Sequence, residues 1–237
     1  MASEGPVLAI LRHADYQQPV DTPSAWLPYP LTENGQEQAA EAAGLIRQFA
    51  AKYNTVVSPA IDSSNMLRAW QTASIIARRI GVATVDQFDA LAERSVGAVA
   101  NLTTRQIEDL LALDPRYESP PAGWKSASDY RLPFQGAESL SQAGERVAHH
   151  LSRCMDIAEQ NREEAGDRPL KIVVAHGASL RHAAMHLGLL TRETVGSVSM
   201  YHARPLFLSR VDQKWRIIDG EWKPRSGRQQ GDEYGAA

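Results

Sequence analysis

The chain has 237 residues, with 25 Lys and Arg against 28 Asp and Glu, a formal charge of −3; its total charge recruits neither nucleic acid nor an anionic membrane. Hydrophobic residues at 43% and charged residues at 22%, with 16 Gly and 13 Pro, exclude a collagenous or low-complexity chain and leave an ordinary globule. The single cysteine, Cys154, excludes an internal disulfide and a cysteine-built metal cluster, which fits a reducing, cytoplasmic compartment.

In chain order, Met1 to Gly5 carries no basic segment, and the apolar run Val7 to Leu11 is too short for a signal peptide or a membrane span. That run has the pattern of a strand buried on both faces, and it ends in Arg12 and His13. After a loop rich in Pro and Gln, Thr32 and Asn34 offer an N-cap to a helix with Ala39, Ala43, Ile46 and Phe49 on one face, ending near Tyr53 and Asn54. A short strand falls between Thr55 and Ser63, its start blurred by Pro59. Met66 to Ile80 reads as a helix closed by Gly81. Val82 to Phe88 alternates as a strand, and Thr103 caps a helix through Ile107, Leu110 and Leu111.

Between Asp114 and Gly136 the periodicity stops. Pro115, Pro120, Pro121 and Pro133 interleave there with Tyr117, Trp124, Tyr130 and Phe134, an aromatic content that favours an ordered insert or lid over a linker. Ser139 to Asn161 is the clearest amphipathic helix, with Cys154 on its apolar stripe as a packing residue. Lys171 to Ala175 is a second buried strand running into His176 and Gly177, and Ala178 to Gly188 is helical. Pro205 to Val211 and Trp215 to Ile218, joined by Asp212, Gln213 and Lys214, read as a hairpin, and a polar tail starts near Arg225. Alternating strands and helices predict an α/β fold: a three-layer α/β/α sandwich on a largely parallel sheet, with an antiparallel element near the C-terminus. One domain over residues 1–237 is expected, with the 114–136 insert on it. Sites in such folds lie beyond the carboxyl ends of strands, which brings His13 and His176 to one end of one sheet.

The strings around these residues resemble the histidine phosphatase superfamily, which includes the cofactor-dependent phosphoglycerate mutases. Leu11-Arg12-His13-Ala14 resembles its Arg-His-Gly signature, and the run from Ser64 through Arg68-Ala69 to Gln71-Thr72-Ala73 its second motif. Leu91 to Gly97, containing Glu93 and Arg94, is similar to the segment bearing the family's acid. Glu138-Ser139-Leu140 with Arg146-Val147 resembles the entry to its long helix, and Val174-Ala175-His176-Gly177 its second-histidine motif.

The resemblance implies His13 as nucleophile and Glu93 as proton donor to the leaving group, with Arg12, Arg68 and His176 binding phosphate. The chemistry agrees. A phosphate monoester carries one to two negative charges at neutral pH, so a site in an acidic chain needs converging cations, and guanidinium groups near His13 also disfavour its protonation. The helix after Gly177 offers further N–H donors. No metal or other cofactor is expected. His149-His150 and the His182 to His186 spacing lack the Glu of a zinc-protease helix and read as structural or surface residues.

The chain departs from the mutases at Asp15 to Pro19, where their short polar run is missing, and at Ser95 and Val96, where they carry His and Tyr. It also lacks their paired arginines for the substrate carboxylate, with only Arg116 and Arg131 in the insert. These differences favour a phosphomonoester hydrolase acting through a phosphohistidine on a small phosphorylated metabolite or a phosphoprotein. A 2,3-bisphosphoglycerate-dependent mutase and a phospho-ligand-binding scaffold are the alternatives. Tyr16, Arg94 and Trp124 are the candidates for substrate specificity.

Overall fold

A computed structural model describes residues 5–225; the polar tail expected beyond Arg225 lies outside the described residues. The elements are β1 (Val7–Arg12), α1 (Glu33–Tyr53), β2 (Val56–Ser64), α2 (Leu67–Ile80), β3 (Thr84–Phe88), α3 (Thr104–Leu113), α4 (Leu140–Ala165), β4 (Pro169–Ala175), α5 (Gly177–His186), β5 (Val198–Ser199), β6 (Leu206–Val211), β7 (Lys214–Asp219) and β8 (Lys223–Pro224).

Local chemistry sets most of these ends. The Thr32 hydroxyl caps α1 by accepting from Gly35 N, and Asn54 closes it in the left-handed region. Thr103 and Ser139 each form a reciprocal capping box, with Gln106 and Gln142. The long helix continues past the expected end at Asn161 and stops at Gly166, whose φ is +77°. Pro59 does not break β2; it sits where the pairing with β4 shifts register between Val57 and Ile61, an irregularity that tolerates a missing N–H. In the β6–β7 hairpin, Asp212 and Gln213 both take positive φ, a two-residue turn, so Lys214 belongs to β7 and not to the loop.

The six-stranded sheet has the order β3-β2-β4-β1-β6-β7. The first four strands are mutually parallel, and β6 and β7 add antiparallel neighbours at the β1 side. Alternation along β1 divides the core. Val7, Ala9 and Leu11 pack with Ala39, Ala43 and Ile46 of α1 and Ala69, Ala73 and Ile76 of α2. Leu8 and Ile10 face the opposite way, toward Val147, Leu151 and Met155 of α4 and Leu180 and Ala183 of α5. The result is the three-layer α/β/α arrangement. A second, two-stranded sheet of β5 and β8 has no signal in the sequence, because two-residue strands show no periodicity.

The 114–136 segment contains only a short 3₁₀ turn at Trp124–Ser126, yet it has its own apolar cluster. Trp124 and Leu132 pack with Ile107 and Leu111 of α3, with Val96 and Val99, and with Ala25 of the loop after β1. The packed unit that contains the insert therefore begins near Val96, earlier than the proline-rich stretch suggests. No helix among the described residues is long and apolar enough to cross a membrane.

Candidate active site

β1 and β4 are parallel neighbours with Arg12 opposite Ala175, so the chain leaves both strands at one edge, and His13 N donates to Ala175 O at 2.8 Å. The rings of His13 and His176 come to 5.1 Å, centroid to centroid.

His13 Nδ1 lies 2.8 Å from Ala14 O. A carbonyl only accepts, so Nδ1 holds the proton and Nε2 keeps its lone pair. Burial, then Arg68, His176, Arg12 and His202 hold the His13 pKa well below the usual imidazole range. The expected arginine effect is present, but burial is the larger cause. Ala14 N in turn donates to Thr72 Oγ1 at 3.0 Å, so the run from Ser64 to Ala73 braces the loop that carries His13.

Arg68 is fully buried. Its terminal nitrogens donate to Ser24 O at 2.6 Å and Leu27 O at 3.1 Å, and its guanidinium lies 4.6 Å from the Tyr16 ring. Tyr16 stands edge-on to His13 at 5.1 Å, and its hydroxyl lies within hydrogen-bond reach of Gln18 Oε1 at 2.8 Å and Ser24 Oγ at 3.0 Å. The loop after β1 thus orients the cation. Arg12 donates to Met200 O at 3.3 Å, and its stem runs past Gly177, where a Cβ would sit 3.0 Å from Arg12 Cδ. The glycine admits Arg12 to the start of α5.

His176 shares a 2.8 Å hydrogen bond between Nε2 and Ser64 Oγ, while its buried Nδ1 has no partner among the described residues. Burial, with Arg68 and Arg12, also holds this imidazole well below its usual pKa. Glu93 Oε1 accepts from Arg94 N at 2.8 Å and from Ser179 N at 3.1 Å. One amide of the α5 N-terminus, expected to face phosphate, is therefore bonded to Glu93. The Glu93 segment is itself held by the fourth motif: Arg146 forks onto Glu138 and donates to the carbonyls of Ala90 and Ala92, while Glu138 accepts from Ser95 N.

The family model for the histidine phosphatase superfamily, branch 1, matches residues 8–220. The chain belongs to the histidine phosphatase superfamily. Among relatives in this superfamily, a 2,3-bisphosphoglycerate-dependent phosphoglycerate mutase of Parvibaculum lavamentivorans is 26% identical over 200 residues, covering 84% of this chain and 86% of that one. A metal-independent phosphoserine phosphatase of Arabidopsis thaliana is 32% identical over 166 residues, 68% of this chain and 59% of that one. The solved mycobacterial glucosyl-3-phosphoglycerate phosphatase complexed with VO3 superposes with a TM-score of 0.67 at 25% identity, covering 94% of this chain and all of that one.

Of the residues expected from the sequence, Arg12, His13, Arg68 and His176 come together at the carboxyl end of the sheet, with Tyr16 against His13 and Arg68 and with Glu93 on Ser179 N of α5. Trp124 is placed differently. Its indole is buried and its N–H already donates to Glu108 Oε1 at 2.9 Å, with the Arg94 guanidinium 5.7 Å from the ring, so the structure gives Trp124 a packing role in the insert and no free donor for a ligand. Arg94 is buried as well, and one of its terminal nitrogens has no hydrogen-bond partner among the described residues. His182 and His186 bond to Ser128 and Ser141, tying α5 to the insert and to α4. His202 is the residue that sequence reasoning missed. It lies between two short elements where no pattern marks it, with its ring 5.7 Å from His13.

Proposed function

We propose that the protein is a phosphomonoester hydrolase working through a phosphohistidine at His13. The observation that supports this reading most directly is the state of His13: a neutral ring whose Nδ1 is spent on Ala14 O, leaving Nε2 nucleophilic beside two arginines. Arg12, Arg68 and the unpartnered Nδ1 of His176 receive the phosphoryl oxygens. Nε2 attacks phosphorus as the ester P–O bond breaks, and Glu93 gives its proton to the departing alkoxide. Glu93 then takes a proton from water, which attacks phosphorus and releases phosphate and free His13. No metal enters this scheme, since the guanidinium groups supply the positive charge.

Hydrolysis is favoured over a mutase reaction by the insert. Arg116 is exposed and forks onto Asp114, so it does not pair with Arg131 as a carboxylate clamp. The mutase reading retains the relatives of that name. Purified protein with a His13→Ala control, offered an aryl phosphate, a panel of phosphorylated metabolites and 3-phosphoglycerate with and without bisphosphoglycerate, decides between them. Release of free phosphate, lost in the control, is the expected result. Isomerisation of 3-phosphoglycerate stimulated by bisphosphoglycerate would replace it with the mutase reading, and absence of any turnover would leave a binding scaffold.

A further inference from the structure

His202 stands in Met200-Tyr201-His202-Ala203-Arg204, outside every motif that the phosphatase scheme uses. Its position is built, not incidental. Ala203 takes a φ of +50°, a region that residues with a side chain rarely enter, and in that bend Ala203 N donates to Arg12 O at 3.0 Å, with His202 bridged to Arg12. The strained turn thereby fixes His202 against the residue that precedes the nucleophile, with its ring tilted 35° to that of His13.

One nitrogen of this ring, Nε2, is buried without a hydrogen-bond partner among the described residues. Buried polar atoms are nearly always paired, and His13 cannot serve, because its Nδ1 is taken by Ala14 O and its Nε2 is reserved for phosphorus. Burial first, then Arg12 and Lys223, lower the His202 pKa to about 2, so the ring is neutral at any working pH. His202 also lines a groove of about 1260 Å³ together with Arg12, Tyr16, Arg204 and Lys223. The same ring lies 5.7 Å from that of His13, so His202 touches both the groove and the histidine pair.

We propose that His202 is a third histidine of the site, donating from Nε2 to a phosphoryl oxygen of the bound substrate on the groove side of His13. A phosphoryl oxygen only accepts, so the tautomer required carries its proton on Nε2. This rests on the phosphatase reading and adds to it a contact that the motif residues do not supply. The donor is uncharged, unlike Arg12 and Arg68, and so adds a directed hydrogen bond without further repelling protons from His13.

Two variants and one direct observation test it. His202→Phe keeps a planar ring and removes the donor, whereas His202→Gln restores an N–H at similar reach. With an aryl phosphate as substrate, the Phe variant is expected to lose roughly 10²-fold in kcat/KM, the scale of one lost transition-state donor, and to bind inorganic phosphate about tenfold more weakly. The Gln variant is expected to recover most of both, with the pH profile unchanged. If the Phe variant folds and matches wild type, or if Gln and Phe lose equally, His202 only packs and the proposal is overturned. In the wild-type protein, titration with inorganic phosphate should shift the His202 ring ¹⁵N resonance, and no shift at saturation overturns the proposal even if both variants misfold. A wild-type protein that neither turns over aryl phosphate nor binds phosphate would instead overturn the phosphatase reading itself.

Discussion

Asp62, His150, Cys154 and Lys171 form one buried polar cluster on the sheet, while Arg12, His13, Arg68 and His176 form another at its edge. In the first, Asp62 Oδ2 meets His150 Nε2 at 2.8 Å and accepts from Cys154 Sγ at 3.3 Å, while Oδ1 meets Lys171 Nζ at 2.5 Å. Three of these groups have the spacing of a metal site, but the lysine ammonium already occupies the carboxylate, and the thiol is pushed up to about 12, far from the thiolate that a metal takes. The cluster is closed on itself. At the sheet edge, by contrast, two buried ring nitrogens, His176 Nδ1 and His202 Nε2, have no partner among the described residues. The first cluster spends its polar groups on one another, whereas the second keeps two buried ring nitrogens that a bound ligand can satisfy.

If that distinction is right, changes at the edge destroy activity and spare the fold, while changes in the closed cluster do the reverse. The largest effect is expected from His13→Ala, a fall in kcat of about 10⁴-fold or more, as when a covalent nucleophile is removed, with thermal unfolding nearly unchanged. Residual turnover above a tenth of wild type would remove His13 from the nucleophile's role. Next, Glu93→Gln should slow an alkyl phosphate by about 10²- to 10⁴-fold and an aryl phosphate much less, because a good leaving group needs little protonation. Equal losses on the two esters would remove Glu93 from the acid's role.

Asp62→Ala should invert the pattern. It strands Lys171 and His150 without their carboxylate, a loss of about 3–5 kcal/mol for a broken buried pair, measurable by urea unfolding, while the folded fraction keeps its kcat. Activity that falls in step with His13 variants, at undiminished stability, would break the comparison.

The edge cluster also makes a pH signature. His13, His176 and His202 all have folded pKa values below 6.5, so as pH falls below about 6.5 the unfolded chain takes up protons that the folded chain refuses. Each ring then costs about 1.4 kcal/mol per pH unit until its folded pKa is reached. Asp62 behaves otherwise: its folded pKa lies below 3.8, so its contribution is intact above 3.8 and is lost only as pH falls through that lower value. Stability in phosphate-free buffer should therefore drop between pH 6.5 and 5, before the closed cluster responds, and His202→Gln should flatten the slope. A level profile over that range would sink the assignment of neutral rings.

Much of this was legible in the sequence because it is written at strand ends. The apolar runs Val7 to Leu11 and Lys171 to Ala175 stop at His13 and His176, and the rule for strand termini brings them to one edge without knowing that β1 and β4 are neighbours. The caps at Thr32, Thr103 and Ser139 are equally local. What the sequence hides is long-range. Nothing near Arg68 shows that carbonyls of Ser24 and Leu27 will hold it, and no count of helix N–H groups reveals that Ser179 N turns to Glu93. The aromatic residues of the insert announce a core, but not that Trp124 points into it. His202 depends on a positive φ at Ala203, an alanine that carries no sign of it.

The smallest expected effect lies at Cys154, and it tests how closed the closed cluster is. Burial above all, then Asp62, raises this thiol to about 12, so at pH 8 the folded protein should resist iodoacetamide, and labelling should follow global unfolding. Cys154→Ala removes one weak hydrogen bond and a partly replaceable volume, at a cost of about 1 kcal/mol, and leaves turnover unchanged because Asp62 retains Lys171 and His150. Rapid labelling of the folded protein would mean that α4 opens over β2 on its own. The cluster would then be a breathing seam, and the contrast with the histidine edge would be one of residue type alone.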